Sequence, residues 1–320
     1  MLSSLPARLA VLVALLATVL PLAACGSGAD KPVLRVGDQT GETESRLRAA
    51  GLLDDLPYEI EWARFPAAAN LHEALRADAV DIGSAADSPT VAAIAGGSAI
   101  KAVAAWNNGG KGTYVLVPKD SPIRTLADLK GKRISPSTRG SVAHYLVLGA
   151  LKQAGLSESD ATLNYLSPTD ASSAFSTGSI DAWATWGVYA ARTRGELGAR
   201  VLTDGTGINS GLSVLSATDK SLTDPAKRQA IADFADRVDR SYTWAQRNPS
   251  AFDDWYSGFA RQPVEIAAQI RAEQTSYRRI PVDGAFADQL QTTYDTWTRA
   301  GVLQGRKNLH DYVDGSLQKP

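Results

Sequence analysis

The residues best suited to chemistry form a polar loop, Ser135-Pro-Ser-Thr-Arg-Gly-Ser141, that runs into an apolar periodic stretch. A helix starting there would offer unpaired N–H groups and a partial positive charge at its N-terminus. Hydroxyls of Ser137, Thr138 and Ser141 add donors and Arg139 adds a fixed charge, a set that suits a small oxyanion. Ser141 would equally serve as an ordinary helix cap, and the spacing does not choose between the two. A second cluster, Trp183, Trp186 and Tyr189, follows a short strand-like run. Its tryptophans would either line an apolar pocket or pack in the core. Trp106, ahead of Asn107-Asn108-Gly109-Gly110, is a further candidate for a cleft rim. Catalytic constellations are missing from the sequence. His72, His144 and His310 have no metal-ligand spacing, and there is no G-x-S-x-G elbow, phosphate-binding loop or dinucleotide fingerprint. The pattern is that of a binding protein with no catalytic residue, no metal and no cofactor.

The amino terminus reads as a targeting signal. Arg8 precedes an apolar run from Leu9 to Leu20, shorter than the roughly 20 residues of a membrane-spanning helix. The run ends at Leu22-Ala23-Ala24-Cys25, small residues before a cysteine that match the lipobox of bacterial lipoproteins. Residues 1–24 are expected to be a signal peptide, and 25–32 a lipidated start and flexible tether. Cys25 is the only cysteine, so no intramolecular disulfide can form. The lipid on Cys25 is the expected membrane attachment, on the outer face of the cell membrane or in the periplasm. A formal net charge of -1 with no basic run excludes a nucleic-acid partner.

The elements that must position these residues alternate between strand and helix. Val33 to Val36, Tyr58 to Phe65, Ala79 to Ser84, Lys101 to Trp106 and Thr113 to Val117 read as strands, with helices over Thr43 to Gly51, Asn70 to Ala77 and Ser88 to Ala95. The pattern restarts with strands at Lys132 to Ser135, Ala161 to Leu166, Ile180 to Ala184 and Arg200 to Leu202, and helices over Gly140 to Ala154 and Pro168 to Ser176. Leu212 to Ser216 reads as a return strand. From Pro225 the chain is helical, with Pro near the first turn of three helices, and this tail is expected on the first lobe. The alternation predicts α/β lobes with largely parallel sheets: residues 33–117 with 212–320, and residues 118–211. Tyr114 to Pro118 and Gly211 to Ser216 are the expected crossings. Glu73 to Asp87 (EALRADAVDIGSAAD) echoes Ser173 to Gly187 (SAFSTGSIDAWATWG), so each lobe would present a similar strand end to a shared cleft.

Six stretches in order carry a resemblance: LRVGDQTG at Leu34, FPAAANLHEALRADAVDIGSAADSP at Phe65, SPIRTLADLKGKRI at Ser121, GSVAHYLVLGALKQAGL at Gly140, SPTDASSAFSTGSIDAWATWGVY at Ser167 and VLTDGTGIN at Val201. The chain resembles the aliphatic sulfonate-binding proteins of bacterial ABC importers, within the nitrate, sulfonate and taurine group. The resemblance implies a two-lobed type II periplasmic-binding-protein fold acting as a monomer, with a permease and its ATPase as partners. It implies a cleft faced by Gln39, Ala86, Asp87, Gly140, Ser141, His144, Trp183 and Trp186, with Arg139 as a possible anion contact. Backbone N–H groups near Ala86, Gly140 and Ser141 would hold sulfonate oxygens, and the rings would face an organic tail. Gly187 and Val188 stand where sulfonate binders often have an acidic residue and a proline, which disfavours an amino-bearing ligand such as taurine. A thiamine-precursor pyrimidine, another heteroaromatic ring or nitrate is the alternative cargo. Enzymes related to this group look to need a cysteine-rich motif, and no cysteine follows Cys25.

Overall fold

Residues 31–318 are described by the computed structural model, so the expected signal peptide and Cys25 lie outside them. In chain order the first elements are β1 (Val33–Gln39), α1 (Glu42–Ala49), β2 (Glu59–Phe65), α2 (Ala68–Arg76), β3 (Ile82–Ala86), α3 (Asp87–Ala95), β4 (Ile100–Asn107) and β5 (Thr113–Val117). Then come β6 (Arg133–Ser135), α4 (Val142–Gln153), β7 (Thr162–Leu163), α5 (Pro168–Ser176), β8 (Ala182–Trp186), α6 (Gly187–Leu197), β9 (Arg200–Asp204) and β10 (Leu212–Thr218). The remainder is α7 (Asp219–Thr223), α8 (Pro225–Arg247), α9 (Pro249–Ala260), α10 (Val264–Gln274), β11 (Arg278–Ile280) and α11 (Gly284–Arg299). Helix starts follow local chemistry. Pro168 and Pro225 sit in first turns, and the preceding Ser167 and Asp224 accept first-turn N–H bonds.

The strands form two sheets, β11-β4-β10-β3-β1-β2 and β7-β6-β8-β5-β9. They are mixed, where largely parallel sheets were expected. β10 runs antiparallel between β3 and β4, and β5 runs antiparallel between β8 and β9. The sub-orders β2-β1-β3-β10-β4 and β7-β6-β8-β5-β9 match position for position, so the sequence echo is a repeated architecture. Each copy carries the same fork. Arg35 holds both carboxylate oxygens of Asp81 and the carbonyl of Asp78, and Arg133 holds both oxygens of Asp181 and the carbonyl of Gly178.

β5 was expected in the first lobe but is hydrogen-bonded into the second sheet. The crossings therefore lie in 108–112 and 205–211, before β5 and before β10. Backbone packs on backbone there, since a Cβ on Gly110 would stand 2.5 Å from the Gly205 carbonyl oxygen. The C-terminal tail also departs from expectation. α8 covers the first sheet through Ile231, Phe234 and Val238, but α9 and α10 pack on α6 beside the second sheet, through Phe252, Tyr256 and Ile270 against Val188 and Ala191. The sequence analysis assigns no element to the α6 stretch; its weak amphipathicity and Gly195 hide it, and only the echo (α3 follows β3 as α6 follows β8) signals it. Among the described residues no helix is long and apolar enough to cross a membrane.

Candidate ligand-binding cleft

The carboxyl ends of β3 and β8 open on one cavity of about 500 Å³. The first turns of α2, α3, α4 and α6 reach its wall through Ala68 and Ala69, Asp87, Val142, and Gly187 to Tyr189. First-turn N–H groups have no partner inside their own helix, and their aligned dipoles make each terminus partly positive. α2 and α6 have no side-chain cap. α3 is occupied at its start, because the Asp87 carboxylate takes hydrogen bonds from its own amide and that of Ser88, and Pro89 has no N–H. α1 also reaches the cavity, but its start is filled, because the buried Asp38 accepts from the N–H groups of Thr43 (3.2 Å) and Glu44 (2.9 Å). Burial raises the pKa of Asp38, and these bonds work against the rise.

The lining carboxylates are engaged inside the protein. Glu42 pairs with Arg46 at 3.3 Å, Glu73 pairs with Arg76, and Asp87 accepts from the hydroxyl of Thr293 at 2.6 Å. The lining residue Arg139 makes no ion pair among the described residues; its guanidinium lies over the Tyr165 ring, 4.8 Å from the centroid. Arg46 is buried and lies over the Tyr242 ring, at 4.2 Å. The halves approach each other at the cavity rim. Tyr189 of α6 donates its hydroxyl to the Pro66 carbonyl at 3.0 Å, and a Cβ on Gly187 would stand 3.6 Å from a Glu42 carboxylate oxygen.

The sequence-expected residues separate into two sets. Gln39, Ala86, Asp87, Arg139, Gly140, Ser141 and Trp186 line the cavity; His144 and Trp183 do not. Gln39 donates to the Ser84 carbonyl at 2.8 Å, which ties β1 to β3 at the rim. Asp87 is buried and its carboxylate turns to Thr293 of α11; burial raises its pKa. Trp183 is 1% exposed and packs on Phe175, because strand side chains alternate and residues three apart on β8 face opposite sides of the sheet. Trp106 is likewise core, donating to Asp239 at 3.1 Å.

The loop before α4 also differs from expectation. Ser141 is the cap, accepting from the His144 N–H at 3.1 Å and donating to the Pro136 carbonyl at 3.1 Å. The Gly140 N–H donates to His144 Nδ1 (3.2 Å) and the Ser141 N–H to the Thr138 carbonyl (3.1 Å), so neither expected amide is free. The donors α4 has left are its first-turn amides at Val142 and Ala143. Ser137 is fully buried and away from the cavity wall. His144 is a brace rather than a wall. It is fully buried between Tyr165 and Trp297, with ring centroids at 5.0 and 4.8 Å. Burial, with the nearby Arg139, lowers its pKa to about 4, and accepting at Nδ1 leaves the neutral ring's proton on Nε2, beside the Tyr165 hydroxyl at 3.0 Å. Sequence reasoning missed Asp38, although it lies in the LRVGDQTG stretch, as well as Glu42 and Arg46, which lie in none of the six stretches, and the wall of α6.

Comparisons place this geometry among known proteins. The chain is 40% identical to a putative aliphatic sulfonates-binding protein of Escherichia coli over 179 residues, 55% of this chain and 56% of that one, so it spans about half the length of that relative. The alkanesulfonate-binding protein SsuA of Xanthomonas axonopodis pv. citri, solved with MOPS bound, superposes with a TM-score of 0.80 at 28% identity, covering 89% of this chain and 99% of that chain. The periplasmic aliphatic sulphonate binding protein SsuA of Escherichia coli superposes with a TM-score of 0.73 at 31% identity, covering 88% and 92%. The fold also hosts a desulfurization enzyme, DszB, at 16% identity and a TM-score of 0.60. The chain shares the periplasmic-binding-protein fold of these sulfonate-binding proteins, and the NMT1/THI5-like family model matches its residues 63–252, so the chain belongs to that family.

Proposed function

We propose that this chain captures an organosulfonate anion in the cleft and delivers it to an ABC permease and its ATPase, catalysing nothing. One observation carries the reading: the uncapped starts of α2 and α6, one from each half, converge on a single cavity whose carboxylates are all engaged within the protein. A sulfonate is ionised at any physiological pH and only accepts hydrogen bonds, so neutral amide donors suffice. Each such charge-assisted bond is worth about 1.5–3 kcal/mol net, and each buried CH₂ of the tail about 0.8 kcal/mol. Trp186 and Tyr189 offer the tail an apolar wall, with ring centroids 6.2 Å apart at 84°. The names of the relatives favour the same ligand class. With Trp183 in the core, no tryptophan pair remains to sandwich a heteroaromatic ring, which counts against the pyrimidine reading.

The protein is proposed to be an extracytoplasmic monomer, lipid-anchored through Cys25, that feeds sulfur uptake. Calorimetric titration of the chain from Gly26 onward with hexanesulfonate, taurine, sulfate and nitrate tests the ligand, and absence of heat with every sulfonate would reject it. The anchor is tested apart from the cleft: Cys25→Ala should be released or stall unprocessed while still binding. Failure of a deletion strain to grow on hexanesulfonate as sole sulfur source is the expected result for the uptake role.

A further inference from the structure

Glu42 brings a negative charge to the seam of the cleft. It is the first residue of α1, where the partly positive helix start favours a carboxylate. Its side chain lines the cavity and is 18% exposed. One carboxylate oxygen pairs with Arg46 at 3.3 Å, and the other lies across the cleft beside Gly187, the first residue of α6, whose Cβ would stand 3.6 Å away. Gly187 has no side chain of its own, so the carboxylate beside the α6 start comes from the opposite half. That start is one of the two uncapped termini, and an anion held by its amides has Glu42 as a neighbour. Arg46 offsets the charge from a fixed place: it is buried, donates to the Ser241 hydroxyl at 3.0 Å and lies over the Tyr242 ring. Asp38 and Glu42 both act on this one guanidinium. The whole cavity wall carries four acidic and four basic side chains, so its formal charge is zero. Such a wall holds a monoanion through amide donors and helix dipoles, and it has no surplus positive charge for a second negative group.

We propose that Glu42 is a specificity-determining residue that sorts sulfonates by charge: the cleft takes those without a second anionic group, zwitterions included, and turns dianions away. This inference rests on the sulfonate reading and narrows it. A second negative group on the ligand adds to the repulsion from the carboxylate, and an ammonium group offsets it. Like charges placed together act mainly against the wrong partner, so the residue serves selectivity more than affinity. Salt screens a part-buried charge less than an exposed one, so the effect persists at physiological ionic strength. The class is therefore alkanesulfonates and aminoalkanesulfonates, rather than sulfocarboxylates or sulfate.

The test titrates the mature protein with three sulfonates of similar length: taurine, a zwitterion; propane-1-sulfonate, a monoanion; and sulfoacetate, a dianion. Wild type should bind sulfoacetate about tenfold more weakly than propane-1-sulfonate, and the gap should narrow in about 0.5 M salt. Glu42→Gln keeps the shape and an acceptor for Arg46 while removing the charge. It should tighten propane-1-sulfonate about fivefold and sulfoacetate about twenty-fivefold, leaving taurine within about twofold. One factor shared by all three ligands, as a change of shape would give, or no change for any, would overturn the charge selection alone. So would a wild-type gap that salt leaves untouched, a measurement that needs no variant. Absence of binding of every sulfonate to wild type would overturn the sulfonate reading and the charge selection with it.

Discussion

In the first half of the molecule a large helix residue meets a strand glycine, and in the second half the sizes are exchanged. Leu71 of α2 lies over Gly83 of β3, where a Cβ would come within 2.5 Å of Leu71 Cδ1. The corresponding helix and strand positions are Ala171 of α5 and Trp183 of β8, both in one buried cluster with Phe175. The forks differ in the same manner. Asp81 is 2% exposed and is held by Ser221 and Lys227 as well as Arg35, whereas Asp181 is 31% exposed and its Arg133 47%. Two copies of one local plan thus fill the same space with different residues, and the fork of the first copy is also tied to α7 and α8 through Ser221 and Lys227. A tryptophan's place in the echo, more than its nearness to a strand end, decides whether it packs or lines the cleft.

The largest expected effect separates the two tryptophans. Trp183→Ala should cost about 3–5 kcal/mol in urea unfolding, the range for truncating a buried large aromatic, and leave affinity per folded molecule within about twofold. Trp186→Ala should do the reverse, with small loss of stability and about tenfold weaker binding of a tailed sulfonate. Interchanged outcomes would dissolve the comparison. Asp81→Asn should cost about 1.5–3 kcal/mol, since it removes the charge from the hydrogen bonds made by two part-buried cations, and Asp181→Asn about 1 kcal/mol or less.

These forks also predict an acid limb. Hydrogen bonds from Arg35, Lys227 and Ser221 outweigh desolvation and hold Asp81 down to about 2, below its ordinary 3.8. A carboxylate with a depressed native pKa stabilises the fold above its unfolded pKa and loses that contribution as pH falls through the folded value. Wild-type stability should therefore decline between about pH 4 and pH 2, and the decline should flatten in Asp81→Asn. Identical acid limbs in the two proteins would show that Asp81 carries no such linkage.

Smaller effects test the exchange of sizes and the contact across the cleft. Gly83→Ala should cost about 1–3 kcal/mol by crowding Leu71, and in Leu71→Ala the same change should cost little, a coupling that a double-mutant cycle reads directly. Strictly additive costs would mean the two positions do not share space. Tyr189→Phe removes the bond to Pro66 and should cost about 0.5–1.5 kcal/mol, visible mainly as faster ligand release.

Much of the scaffold was legible because it depends on local signals. Period-two alternation marks β2, Pro225 with Asp224 marks α8, and the repeated hydrophobic-Asp-small pattern marks β3 and β8. What was not legible depends on partners far along the chain. The second sheet claims β5 through β8 and β9, whose residues lie some 70–90 positions away. Trp183 is core because Ala171 leaves room for it, and the Gly140 amide is consumed by an imidazole one helical turn later. Asp38 caps α1 from inside a strand, and no capping motif reaches back that far.

A structure of the mature protein crystallised with hexanesulfonate is the most direct measurement. The expected result places sulfonate oxygens within hydrogen-bond distance of first-turn amides from both halves, among those of α2, α4 and α6, with the tail against Trp186 and with Trp183 and His144 untouched. A sulfonate held by one half alone, by the Gly140 and Ser141 amides, or outside the cleft would contradict the convergence of helix starts as the basis of binding.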